Sequence, residues 1–184
     1  ILFMKIYLKI NYGISLHLRM VIIEIKKGDL LKANESYICQ QCNCVTIKSH
    51  GLSKSIGDKY SYGDPYKNRP KKTPNTTSKP DKPGTIVKLQ HPKEPNNHHI
   101  ILCFMAQWGP SRPNRYKNYY SNTYEDNYEN RKKWFKECLE ILDENNYDLV
   151  AMPHGIGCGL AGGKWNEYKK MLEECNTKIV LYQL

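Results

Sequence analysis

The sequence predicts a three-layer α/β/α domain on a mostly parallel, mixed sheet, and three observations carry that expectation. Short, almost continuous apolar runs recur along the chain, as strands buried on both faces require. Segments with helical spacing separate several of them, and turn residues bound each run. With 184 residues, 40% hydrophobic and 25% charged, the chain is sized for one globular domain.

Taken in order, residues 1–19 read as an extension outside the core, because Lys5, Lys9 and Asn11 interrupt their apolar part. The domain is expected over 20–184. Its first strand is Val21–Ile25, ending in Lys27-Gly28-Asp29-Leu30, and its second is Tyr37–Cys42, ending in Gln40-Gln41-Cys42-Asn43-Cys44. Leu52 and Ile56, at i and i+4, predict a short helix within Gly51–Tyr60. From about 61 to 84 come five prolines with many Lys, Asn and Thr, so a long surface loop of disorder-like composition is expected. Further strands are predicted at Ile86–Leu89, Ile100–Met105, Leu149–Met152 and Ile179–Tyr182. Helices are predicted at Tyr128–Asn145, with Trp134, Phe135, Cys138, Leu139, Ile141 and Leu142 on one face, and at Trp165–Glu174, with Trp165, Tyr168, Met171 and Leu172. Parallel sheets hold ligands beyond the carboxyl ends of their strands, which directs attention to the loops after Leu30, Asn43, Met105 and Pro153.

Composition narrows the partners. The formal net charge of +10 suits a polyanion such as nucleic acid, and the loop Pro65–Lys82 concentrates Lys67, Arg69, Lys71, Lys72, Lys79 and Lys82. The competing explanation is codon drift, since 16 Asn and 14 Tyr accompany the excess of Lys and Ile. Little aromatic interleaving supports the basic loop as a nucleic-acid module, so that reading rests on charge alone. No run approaches the eighteen apolar residues of a membrane helix, and no membrane partner is expected. Seven scattered cysteines, with no secretory signal read in the first nineteen residues, point to reduced thiols in the cytoplasm. Cys39, Cys42 and Cys44 do not converge, because Cys39 and Cys42 point to opposite faces of one strand. No metal and no cofactor are expected, and a monomer is.

The most informative segment is Pro153-His154-Gly155-Ile156-Gly157-Cys158-Gly159-Leu160-Ala161-Gly162-Gly163, five glycines in eleven positions between a strand and a helix. Such a loop turns with positive φ, approaches a ligand closely and offers backbone N–H groups to an anion. It is not a nucleotide-hydrolase P-loop. Counting back from Lys164, Cys158 stands where the first Gly is needed, and Trp165 takes the Ser/Thr position. A cysteine phosphatase would need Arg where Lys164 stands. Gly157, Gly159 and Gly162 spell Gly-x-Gly-x-x-Gly, but too near the end for a dinucleotide fold. At the first strand's end, Asp29 is placed either to cap a turn or to accept from an exocyclic amine. Asn43 can serve a sugar hydroxyl, and Gly51 opens a helix whose N–H groups can face a phosphate.

In that order and spacing, Gly28-Asp29-Leu30, Asn43 with Gly51-Leu52, and Gly157-Cys158-Gly159-Leu160-Ala161-Gly162 resemble a macrodomain, the ADP-ribose-binding module, over about Val21 to Leu184. The ending Val180-Leu181-Tyr182-Gln183-Leu184 looks like the branch of ADP-ribose 1″-phosphate phosphatases and terminal ADP-ribose protein glycohydrolases. The resemblance implies that Asp29 binds the adenine amine with Leu30 beside the base, and that Asn43 holds the distal ribose. It implies that Gly51 and Leu52 face the diphosphate, and that Gly157, Cys158, Gly159, Leu160, Ala161 and Gly162 wrap the phosphates and that ribose. Departures bear on chemistry: Ser49-His50-Gly51 replaces a run of glycines, Ala161 stands where glycohydrolases have Asp, and Ala106-Gln107 lies near their nucleophilic Lys. A covalent mechanism is therefore expected to be absent. Hydrolysis would need a water held at Asn43, with His50 relaying a proton. His154, at a strand end, is expected to be structural. Two classes stay open, a hydrolase of ADP-ribose derivatives and a non-catalytic reader of ADP-ribosylated partners.

Overall fold

The computed structural model describes residues 2–7, 19–115 and 123–184. Seven strands form one sheet: β1 (Leu2–Tyr7), β2 (Arg19–Lys27), β3 (Tyr37–Asn43), β4 (Ile86–Leu89), β5 (Ile100–Gln107), β6 (Leu149–Pro153) and β7 (Lys178–Gln183). Their order is β1-β2-β7-β6-β3-β5-β4. The five inner strands are parallel to one another, and β1 and β4 close the two edges antiparallel. Burial explains the apolar runs. Ile38, Cys39, Leu102 to Ala106, Val150 to Met152 and Leu181 are fully buried, as both faces of an inner parallel strand must be.

Three helices cover the sheet: α1 (Leu52–Lys59), α2 (Tyr128–Glu144) and α3 (Trp165–Glu174). Phe135 of α2 meets the Tyr168 ring of α3 at 4.7 Å and Phe104 of the sheet at 5.6 Å, which puts α2 and α3 on one face. The opposite face belongs to α1. There Gln40 donates to the carbonyl of Gly63, while the next residue, Gln41, reaches Gly157 on the α3 side, as strand alternation dictates. Asn127 starts α2 by accepting from the Asn130 N–H at 2.8 Å. In its last turn, Asp143 gathers the N–H groups of Asn176 and Thr177 at 2.9 and 2.8 Å, pinning the turn into β7.

Two regions carry more structure than their composition suggested. Leu2–Tyr7, within the expected extension, pairs with β2, and β2 itself begins at Arg19. An outer strand satisfies the open edge of β2, and a Lys within it suits an edge position. The 61–84 loop is irregular but anchored to the end of β3. Thr77 donates to the Val45 carbonyl at 2.9 Å, Ile47 donates to Asn75 at 3.3 Å, and Arg69 donates to the carbonyls of Thr46 and Asn43 at 2.6 and 2.9 Å while pairing with Asp81. Among the described residues no helix is long and apolar enough to cross a membrane.

Candidate functional site

The carboxyl ends of β3, β5 and β6 open into a cleft of about 380 Å³, within the usual range for a small-molecule site. One wall is the β3–α1 loop with the start of α1: Lys48, His50, Gly51, Leu52 and Ser53. The other is the glycine loop after β6, from Gly155 to Ala161 apart from Cys158. Gln41, Asn43, Tyr66 and Gln107 contribute from the sheet ends and the anchored loop, and Pro110 and Ser111 stand at the side.

Glycine is required where the walls converge. Gly51 has φ +55, and its missing Cβ would lie 3.6 Å from Leu160 Cδ1 on the far wall, so the two loops meet there. Gly157 has φ +74, and a Cβ would come within 2.4 Å of Gln41 Oε1 and 2.6 Å of the Tyr168 ring. Tight turns shape the second wall, with Ile156, Cys158, Gly162 and Gly163 donating to the carbonyls of Pro153, Gly155, Gly159 and Gly157. That pattern leaves the N–H groups of Gly157, Gly159, Leu160 and Ala161 without an acceptor among the described residues, and those of Leu52 and Ser53 at the α1 start likewise. Among the described residues no carboxylate lines the cleft, whereas Lys48 and His50 do. Free backbone donors with a cation at the rim are the chemistry that suits an anion.

No family model matches the chain, and a search of curated proteins finds no match. Solved structures do resemble it. The macrodomain of Thermus aquaticus DarG superposes with a TM-score of 0.59 at 16% identity, covering 88% of this chain and 98% of that one. For the macrodomain of Mycobacterium tuberculosis DarG the values are 0.56 and 15%, over 89% and 99%. A Bacteroides thetaiotaomicron protein gives 0.55 and 20%, over 88% and 99%. The fold is that of a macrodomain.

On this macrodomain fold the expected site residues divide into two groups. Asn43, His50, Gly51, Leu52, Gly157, Gly159, Leu160 and Ala161 all line the cleft, although they come from two segments about a hundred residues apart in sequence. Asp29, Leu30, Cys158 and Gly162 stand outside its lining. Asp29 Oδ1 accepts from the Leu31 N–H at 2.9 Å, capping a 3-10 turn at Leu30–Lys32, and Leu30 is buried beneath. Its Oδ2 takes no hydrogen bond from the described residues. Cys158 turns back, its thiol donating to the Ile156 carbonyl at 3.4 Å, and burial pushes the thiol up to about 11, which disfavours the thiolate at neutral pH. Gly162 packs against Arg112.

Asn43 is more heavily engaged than its resemblance-based role implies. Its Oδ1 accepts from the N–H groups of Val45 and Thr46 at 3.1 and 2.8 Å, and its Nδ2 donates to Thr46 Oγ1 at 2.8 Å and the Tyr66 hydroxyl at 3.3 Å. That side chain closes a turn at the β3 end. His50 is exposed at the rim, held through its backbone by Ser53. His154 lies against the Trp165 ring, a packing role.

Several lining residues carried no expectation: Gln41, Lys48, Tyr66, Gln107, Pro110 and Ser111. Gln41 precedes Asn43 by two and shares its side of β3, so strand alternation alone could have flagged it. Tyr66 reaches in from the anchored loop and has no periodic signal. The structural brace of the site was equally silent. Arg131 of α2, 1% exposed, grips Asp126 with two bonds of 2.6 Å and spends its remaining donors on the carbonyls of Ser111, Ala161 and Gly109 at 2.6, 3.0 and 3.1 Å. Asp126 in turn accepts from the Gly109 N–H. One buried ion pair thus ties the side wall to the glycine loop.

Proposed function

We propose that the cleft binds ADP-ribose. The observation that carries this reading is the pairing of two anion-competent walls across a gap closed by Gly51 and Leu160, each presenting backbone N–H groups that, among the described residues, have no acceptor and face no carboxylate. A diphosphate fits that chemistry, because its charge lies between two sets of dipoles that need no reorganisation. Asp29 Oδ2, at the end of β2, is the acceptor for the adenine amine, and the Gln41, Asn43 and Gln107 end of the cleft takes the distal ribose. The resemblance to macrodomains points the same way.

Within this reading, hydrolysis of ADP-ribose 1″-phosphate or of ADP-ribosyl adducts rests on a water near Asn43 and on His50, whose imidazole lines the cleft and can relay a proton. The second reading is a non-catalytic reader of ADP-ribosylated partners, and one observation favours it: the Asn43 amide is already committed to Thr46, Val45 and Tyr66. Isothermal titration with ADP-ribose tests the binding, and phosphate release from ADP-ribose 1″-phosphate separates the two readings. Saturable binding without release supports the reader, and release supports the hydrolase. Absence of binding would refute both.

A further inference from the structure

Behind the glycine loop lies a second cavity, of about 280 Å³, between the first turns of α2 and α3. The loop is the partition, since Ala161 lines the cleft on one side and this cavity on the other. The Tyr168 ring packs so closely beneath the loop that Cβ atoms at Gly157 and Gly163 would come within 2.6 and 2.7 Å of it. Only 2% of Tyr168 is exposed, yet its hydroxyl has no hydrogen-bond partner among the described residues. Nor is that oxygen sealed off. Among the described residues the sealed side-chain polar atoms without a partner are Gln40 Oε1, Gln41 Oε1 and Arg69 Nε, so the Tyr168 hydroxyl opens into the cavity that its ring lines. Burial holds the phenol above its ordinary range, and at neutral pH it keeps a proton to donate.

The charges around this hydroxyl are balanced. Lys132 Nζ lies 2.9 Å from Glu129 and 3.0 Å from Glu167, Lys164 Nζ lies 3.6 Å from Glu167, and Arg131 is paired with Asp126. The donors are not balanced. Tyr128 and Glu129 line the cavity, and their backbone N–H groups have no acceptor among the described residues, because Asn127 serves Asn130 and Arg131 instead. Both helices also bring their first turns, the positive ends of their dipoles, to the same space. We infer that this cavity is a second anion site, holding a phosphate group on the Tyr168 hydroxyl and the α2 N–H groups with Lys132 as the counter-charge. Phosphate is favoured over carboxylate because its oxygens spread over a tetrahedron and meet donors from two helices, whereas a carboxylate holds two oxygens in one plane. Glu129, with its side chain 80% exposed, is the group that the ligand displaces from Lys132, and it swings into solvent while Glu167 stays. With the glycine loop between them, this site is separate from the ADP-ribose cleft and does not depend on what fills it.

The test is amide NMR of the full chain titrated with inorganic phosphate against chloride at equal ionic strength. Saturable shifts are expected at Tyr128 and Glu129, and they should persist when ADP-ribose is added in excess. Tyr168→Phe removes one oxygen that bonds to nothing else in the protein. Its thermal transition in chloride should therefore match wild type, while its phosphate affinity falls at least about tenfold, the scale of one hydrogen bond to a charged group. Glu129→Gln removes the competitor for Lys132 and should tighten phosphate about two- to fivefold, the scale of an exposed ion pair. Repeating the titration with glycerol phosphate separates a monoester on a larger ligand from the free ion, and the tighter of the two names the source. Phosphate that shifts neither amide, shifts that vanish once ADP-ribose fills the cleft, or a Tyr168→Phe variant that binds phosphate as wild type does would each overturn the second site. Wild-type protein that takes phosphate here but no ADP-ribose would instead sink the cleft reading and leave this site standing.

Discussion

At the scale of single residues, Asn43 and Gly159 separate folding from binding. Every polar atom of the Asn43 amide has a protein partner, so Asn43→Ala should act first on stability. The expected cost is about 1–3 kcal/mol from the orphaned N–H groups of Val45 and Thr46, or roughly 2–12 °C in Tm for a domain of this size, read by thermal unfolding. Gly159 is the opposite case. Its conformation needs no positive φ and an added Cβ meets nothing within 4 Å, so Gly159→Val should fold as wild type and obstruct only the cleft. Gly162→Glu is a poorer probe than its place in the motif suggests, because φ +75 and Arg112 Cγ at 2.7 Å make any side chain there strained. Asp29→Ala should weaken ADP-ribose by about 1–3 kcal/mol in titration calorimetry, and the fold should survive loss of a cap on a single 3-10 turn. Should the protein turn over ADP-ribose 1″-phosphate, His50→Ala is expected to slow release about 10²-fold with affinity unchanged. Unaltered release would remove His50 from the chemistry.

At the scale of elements, the site depends on fastenings that lie outside it. Arg131 joins α2 to both the Gly109–Ser111 segment and the glycine loop, so Arg131→Met would leave Asp126 short of its partner and three carbonyls unpaired. Breaking a buried pair from one side costs about 3–5 kcal/mol. Urea unfolding should show that loss, and a wild-type midpoint would contradict the brace. The α2–β7 fastening through Asp143 responds to pH. Burial pushes its carboxyl up, but hydrogen bonds from Asn176, Cys175 and Thr177 outweigh that and hold it below the usual carboxylate range. A depressed folded value means that its contribution is complete above the ordinary carboxylate pKa near 4 and fades as pH falls through the lower folded value. Asp143→Ala should therefore lower stability at pH 7 and flatten the decline of Tm below about pH 4. An identical acid limb in wild type and variant would rule the carboxyl out as its source.

For the whole molecule, what could be read in advance followed from repetition. Inner strands such as Ile100–Gln107 are apolar on both faces and read as continuous runs, and α2 and α3 show their packing stripes through Trp134, Phe135, Tyr168 and Leu172. Both glycine-bearing walls were legible because positive φ and close approach restrict the residue type at Gly51 and Gly157. Illegible features were single polar side chains acting over long sequence distances. Arg131 reaching Ala161, Arg69 reaching Asn43, and Tyr66 entering the cleft have no period, and each is fixed only once the sheet has brought distant segments together. The edge strand Leu2–Tyr7 was obscured for a related reason, since an outer strand with Lys at an edge lacks the apolar continuity of the inner ones.

The central claim, that one cleft between the Gly51 and Gly159 walls holds ADP-ribose, meets its most direct test in titration calorimetry of wild-type protein and Gly159→Val side by side. Saturable one-to-one binding by wild type, lost in a variant with an unchanged thermal transition, is the predicted result. A wild-type protein that takes no ADP-ribose, or a folded Gly159→Val variant that binds it equally well, would contradict the account.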